Sequence, residues 1–329
     1  MAKVVVLGTG GTIASRRDAA GGGATSQASS AELVAALGER GYRLSAGVSL
    51  ETEQFCTIGS YRFDLDIAFR IAQRVALHLA DPTVAGVVVT QGTDTMEESA
   101  FMADLVVASD KPVAYTGAQH LADDPDSDGP RNLTGAIRFV AAPQSRGLGV
   151  VIAFDGEAHA ARDATKIHAS RVGAFSSGEH GKLADIDGDD IVVHRRPLLR
   201  RTFPTEAIEP KVDLIRLTMG TDARFIRCAI DTGAKAIVIE AFGRGNANHE
   251  VIAGIHDAVA ADVPVIVTTR CPAGRVKPIY GDGGGRDVEA AGAILAGDLQ
   301  GVKARVLLSV LLQACDRADI AKEVYAFGG

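Results

Sequence analysis

The stretch Val84–Glu98, VAGVVVTQGTDTMEE, decides how the chain folds. Val84–Thr90 is apolar on nearly every residue and rich in β-branched side chains, which suits a strand buried on both faces of a parallel sheet. Gln91-Gly92-Thr93-Asp94 breaks that run at a glycine turn, and the helical pattern begins just beyond it. Thr95 and Glu98 have the spacing of a capping box, and Glu97 and Glu98 crowd a first turn where the helix dipole favours carboxylates. That reading explains Thr95, Glu97 and Glu98, but it does not require Gly92-Thr93-Asp94 ahead of the cap.

The same succession recurs on either side. Lys3–Leu7 runs into Gly8-Thr9-Gly10-Gly11-Thr12, and further strands are expected at Pro112–Thr116, Gly149–Phe154, Val212–Arg216, Ala236–Glu240 and Val263–Thr268. Helical periodicity falls between them, at Ser30–Arg40, Asp64–His78, Glu97–Ala108, Arg131–Val140, Arg224–Asp231 and His249–Ala260. One or two more helices fit in Gly301–Phe327. Strand–helix alternation of this kind predicts an α/β fold: a larger N-terminal, parallel-rich sheet domain flanked by helices, and a smaller C-terminal α/β domain. The sequence HRRPLLRRTFPTEAIEPK at 194–211 carries three prolines and no clean period. It reads as a linker between domains spanning 1–193 and 212–329. Ser15–Ser29, mostly Gly, Ala and Ser, is expected to be a mobile loop, placed to act as a lid directly after Thr12.

Composition narrows the function classes. The 329 residues are 47% hydrophobic, enough for a substantial core, and the formal net charge of −7 comes with no basic tract. Nucleic acid and anionic membranes are therefore poor partner expectations. No apolar run approaches the ~18 residues of a membrane span, and the N-terminal run meets glycine too soon for a signal peptide. Cys56, Cys228, Cys271 and Cys315 are scattered and form no C-x-x-C pair, which points to a reducing cytoplasm. The histidines form neither H-x-x-x-H nor H-E-x-x-H, so no metal is expected, and His159 and His168 read as isolated residues. Asp123–Gly129 superficially resembles a calcium loop, but Thr134 stands where the twelfth-position Glu belongs and Pro125 occupies a ligand position. It reads as a solvated acidic loop.

The first glycine turn excludes two nucleotide motifs. G-x-G-x-x-G fails at Ile13, and no Gly-Lys-Ser/Thr follows for a phosphate-binding loop. What remains is a turn presenting the Thr12 hydroxyl at the carboxyl end of a strand, where open α/β sheets bind ligands, or a plain capping threonine.

Taken together, the glycine turns resemble the signatures of the bacterial L-asparaginase family. Gly8-Thr9-Gly10-Gly11-Thr12-Ile13-Ala14 resembles the first and Gln91–Glu98 the second. The similarity continues through Thr116-Gly117-Ala118-Gln119, Asp128-Gly129-Pro130 with Asn132, Arg162-Asp163-Ala164-Thr165-Lys166 and Lys303–Leu308. It implies a threonine amidohydrolase without a cofactor. Thr12 would attack the side-chain amide of L-asparagine, with glutamine a weak side substrate, and water would resolve the acyl-enzyme. By the same resemblance Thr93, Asp94 and Lys166 support the nucleophile, with Lys166 either a neutral base toward Thr93 or a cation sustaining a polarised hydroxyl. Backbone donors at Thr93 and Ala118 would hold the oxyanion. Gly11, Gly59, Ser60, Gly92, Thr93, Asp94 and Asn248 complete the implied substrate contacts. Asp94 faces the α-amino group, Ser60 the α-carboxylate, and Asn248 comes from a neighbouring subunit of a homodimer or homotetramer. Left to itself, Ser60 also fits a helix cap before Asp64–His78 or a nearby turn. A silent amino-acid-binding protein would not need Thr12, Thr93, Asp94 and Lys166 together. The ammonia-releasing subunit of a tRNA amidotransferase carries an additional N-terminal domain, whereas here the first signature starts at residue 8.

The chain departs from the family at three places, one of them the stretch 279–287, which has no clear counterpart of the family's acidic contributor from the neighbouring subunit. Ser15–Ser29 lacks the lid tyrosine of many members, leaving Thr25 or a residue from elsewhere to do its work. Tyr61 stands where a glutamine often contacts the substrate amine, and its bulk disfavours the extra methylene of glutamine by about 1–3 kcal/mol.

Overall fold

The computed structural model describes residues 2–18, 22–44, 47–198 and 200–328. The chain divides into two compact units, the first ending at Pro204 and the second beginning at Thr205.

The first unit is built on an eight-stranded sheet. Its strands are β1 (Ala2–Gly8), β2 (Val48–Gln54), β3 (Val84–Thr90), β4 (Val113–Thr116), β5 (Val150–Phe154), β6 (Glu157–Ala160), β7 (Ala184–Asp187) and β8 (Asp190–Val193). Their order across the sheet is β8-β7-β6-β5-β4-β3-β1-β2. The pairs from β2 through β5 are parallel, and those from β5 to β8 antiparallel. Helices α1 (Ser30–Glu39), α2 (Leu65–Ala80), α3 (Met96–Val106) and α4 (Gly129–Ala141) provide the crossovers. Val4–Leu7 and Val87–Val89 are wholly inaccessible to solvent, as continuous apolar runs in central parallel strands should be. From β1 the chain crosses to β2 on one side, and β3 then starts the succession on the other. The order therefore reverses between β1 and β3, and the crevice above their carboxyl ends is where a doubly wound sheet binds its ligand.

Strand β2, VSLETEQ, was not expected. It is an edge strand whose side chains are half-buried or exposed, so it lacks a continuous apolar signature. The antiparallel strands β6–β8 escaped because each is only four residues long, too short for a clear period. The arginines of the 194–204 stretch are tied to the first unit. Arg196 donates to the carbonyls of Arg146 and Gln144, and Arg200 pairs with Asp104 at 2.8 Å while donating to Ser109 and Val107.

The second unit has a four-stranded parallel sheet of β9 (Val212–Arg216), β10 (Ala236–Ala241), β11 (Val265–Thr269) and β12 (Ile294–Leu295), in that order. It carries α5 (Arg224–Asp231), α6 (His249–Ala260), α7 (Gly285–Ala290), α8 (Gly301–Ala314) and α9 (Arg317–Gly328). No helix among the described residues is long and apolar enough to cross a membrane.

Candidate active site

The turn after β1 is held by backbone that only glycine adopts without strain. Gly10 and Gly11 have φ of 100° and 86°. A Cβ on Gly11 would collide with the backbone of Gly92, and one on Gly92 would lie 2.6 Å from Ser60 Oγ. The turns following β1 and β3 thus touch main chain to main chain, and the segment following β2 closes against them. Thr9 ties the ends of β1 and β3 together, its N–H and Oγ1 both donating to the carbonyl of Thr90 at 3.0 and 2.8 Å. Ser15 and Ser26 hydroxyls both donate to the carbonyl of Gly11, fixing the residue before Thr12.

Within Ser15–Ser29 a short antiparallel ladder pairs Ser15–Arg16 with Thr25–Ser26. Residues 19–21 of the expected lid lie outside the described residues. Thr25 and Ser26 line the same cleft as Gly11, Thr12, Gly59, Ser60, Gly92, Thr93 and Asp94, a space of about 270 Å³. Two other cavities of 380 and 550 Å³ are larger, but neither contains these hydroxyls.

Ser60 does not cap the helix that follows. Asp64 takes that position, its carboxylate accepting from the Ile67 N–H, while Ser60 begins a 3₁₀ turn over Ser60–Arg62. The Ser60 hydroxyl instead accepts from the Asp94 N–H at 3.2 Å, and the Thr95 hydroxyl donates to the Ser60 carbonyl at 3.0 Å. This overturns the capping-box reading of Thr95. Its backbone, at φ −121° and ψ 14°, is not the extended conformation of a side-chain cap, so its hydroxyl clips two loops together.

Lys166 arrives from outside the parallel strands. It lies on a two-residue ladder, Thr165–Lys166 against Phe175–Ser176, delivered by a buried turn at Ala160–Ala164. Its ammonium nitrogen is 2.9 Å from Thr93 Oγ1 and 2.8 Å from Asp94 Oδ1. The lysine side chain is 15% exposed and the aspartate 56%, so the amine is sheltered while a carboxylate face stays open to the cleft. Among the described residues Lys166 is hydrogen-bonded to Thr93 and not to Thr12. Among the described residues the Thr12 hydroxyl has no hydrogen-bond partner.

Three supporting residues carried no individual role in the sequence reading. Gln119 Nε2 donates to Thr93 Oγ1 at 3.2 Å. Asp128 is 4% exposed, so it is not part of a solvated acidic loop. Its carboxylate accepts from the N–H groups of Gln119 and His120, and from Asn132 Nδ2, which also donates to the Gly117 carbonyl. These contacts fix the Gly117–Gln119 turn, whose Ala118 is buried. No hydrogen bond among the described residues uses the N–H of Thr93 or Ala118, although both residues are at most 5% exposed. Buried main-chain donors are normally paired, and these two are left open at adjacent turns.

Asn248 belongs to the second unit. It caps α6, accepting from the Val251 N–H, and its amide donates to the Thr221 carbonyl. His159 is buried beside Ser177 and Glu157, and burial lowers its pKa.

A family model described as "Asparaginase, N-terminal" matches residues 3–199, and one described as "Glutaminase/Asparaginase C-terminal domain" matches 211–324. The chain belongs to the asparaginase family. Relatives in that family include an L-asparaginase from Bacillus licheniformis, 32% identical over 94% of this chain and 95% of its own. A component of the glutamyl-tRNA(Gln) amidotransferase of Methanosarcina mazei is also 32% identical, over 97% of this chain and 76% of its own. Among solved structures, the probable cytoplasmic L-asparaginase of Campylobacter jejuni superposes with a TM-score of 0.86 at 28% identity, covering 100% of this chain and 99% of that one. Asparaginase-family membership thus spans both units of the chain.

Proposed function

We propose that the chain is an L-asparaginase, hydrolysing L-asparagine to L-aspartate and ammonia through an acyl-enzyme on Thr12. The observation that carries this reading is the convergence, in one cleft, of an unpaired Thr12 hydroxyl with a Thr93 hydroxyl held by Lys166. Attack of Thr12 Oγ on the side-chain amide carbon forms the ester bond and breaks the C–N bond. The proton that Thr12 loses must end on the departing ammonia. Thr93 can relay it, because its hydroxyl both accepts and donates and is held by Lys166 and Gln119. The open N–H groups of Thr93 and Ala118 suit the oxyanion, a position where one lost donor typically costs about 3–4 kcal/mol. Water then cleaves the ester, returning the proton to Thr12.

Asp94 offers its exposed carboxylate to the substrate's ammonium, and Ser60 offers its hydroxyl to the α-carboxylate. No cofactor takes part in these steps. A cytoplasmic location, catalysis housed in a domain of residues 1–193 joined through 194–211 to 212–329, and assembly as a homodimer or homotetramer with Asn248 of one copy completing the cleft of another belong to the same reading.

Ammonia release from L-asparagine, L-glutamine and D-asparagine at neutral pH tests it. Rapid release is expected from L-asparagine, with L-glutamine slower by about 10- to 100-fold, the worth of one methylene. Release no faster than background from every amide would leave a silent amino-acid binder as the better account.

A further inference from the structure

Arg62 lines the same cleft as Ser60, two residues away on the 3₁₀ turn Ser60–Arg62. Its backbone N–H is used, donating to the Gly59 carbonyl at 3.0 Å, but among the described residues its guanidinium has no hydrogen-bond or ion-pair partner. Elsewhere in the first unit Arg74 is paired with Glu53, Arg17 with Asp124 and Lys166 with Asp94. Arg62 and Asp94 are the charged residues among those lining the cleft, one of each sign, as the two charged groups of a free amino acid require.

We propose that Arg62 is a substrate-binding residue of this chain, pairing with the α-carboxylate that Ser60 also contacts. The inference rests on the amidohydrolase reading above. A guanidinium presents a planar fork that matches a carboxylate in two hydrogen bonds, a geometry that lysine's point charge does not reproduce. The 3₁₀ turn fixes where the fork starts, because the Phe63 N–H donates to the Ser60 carbonyl and Thr95 holds that same carbonyl. Tyr61, between the two residues, is folded back over Gly59 while staying 75% exposed, so it forms the rim of the cleft beside Arg62. Ammonium recognition at Asp94 and carboxylate recognition at Ser60 and Arg62 would then select a free amino acid over a peptide-bound asparagine.

The test compares L-asparagine with its α-carboxamide, whose α-carboxylate is replaced by a neutral amide, on wild-type protein, Arg62→Met and Arg62→Lys. Arg62→Met is expected to raise KM for L-asparagine about tenfold with kcat within twofold. It should leave KM for the α-carboxamide unchanged or lower, and Arg62→Lys should fall between. An unchanged KM for L-asparagine, or an equal rise for both substrates, overturns the proposal. If wild-type protein releases no ammonia, the amidohydrolase reading fails first. L-aspartate titration then still reads the contact, because its affinity must weaken about tenfold in Arg62→Met if Arg62 holds the carboxylate, and equal affinity overturns it.

Discussion

Thr12→Ala lowers ammonia release from L-asparagine by roughly four orders of magnitude or more, while L-aspartate still binds. The size follows from what is removed, since loss of a nucleophile leaves only the catalysis that binding and oxyanion donors supply by themselves. The fold should tolerate the change. Thr12 contributes no side-chain hydrogen bond to its turn, which is held by Thr9, Ser15, Ser26 and the Gly11–Gly92 contact. The residues proposed to hold the ligand, Ser60, Asp94 and Arg62, are untouched. Steady-state kinetics and L-aspartate titration check both halves. Turnover within tenfold of wild type would remove Thr12 from the nucleophile's role.

Lys166→Met is the second large effect, with kcat expected to fall about 10²- to 10⁴-fold, the range that positioned acid–base groups contribute. Lys166 and Gln119 both donate to Thr93 Oγ1, so the substitution leaves Thr93 with one donor and frees Asp94 from its pairing. Asp94 keeps its carboxylate for the substrate ammonium, and KM should therefore change by much less than kcat. Lys166→Arg is not a rescue, because a guanidinium cannot give up its proton and replaces a single rotatable donor that lies 2.9 Å from Thr93 and 2.8 Å from Asp94. A KM rise with kcat preserved would make Lys166 a binding residue and remove its part in proton transfer.

How far these residues were readable before the fold was known depended on distance along the chain. Val84–Thr90 declares itself because a central parallel strand is apolar on both faces, and the glycine turns after β1 and β3 are local chemistry. Thr12 and Thr93 meet because the strand order reverses between β1 and β3. No local pattern states that, and the resemblance across the whole chain stood in for it. Strand β2 was missed because an edge strand such as VSLETEQ need not alternate or bury. Asp128 is hard to read for a different reason. A carboxylate among Asp123, Asp124 and Asp126 looks solvated until the Gln119 and His120 N–H groups and the Asn132 amide are brought to it. Thr95 shows that matching cap spacing does not oblige a hydroxyl to cap when a neighbouring loop offers it a carbonyl. Arg62 is not legible in the sequence because a lone arginine beside a tyrosine has no motif, and only its place in the cleft and its lack of a partner among the described residues distinguish it.

The most direct test of the central claim is rapid acid quenching of the protein during L-asparagine turnover, followed by peptide mass spectrometry. An aspartyl ester on the peptide containing Thr12, absent from Thr12→Ala, is the result expected of an acyl-enzyme. An ester on Thr93, or robust turnover with no covalent species at any quench time in wild type or slowed variants, would contradict it.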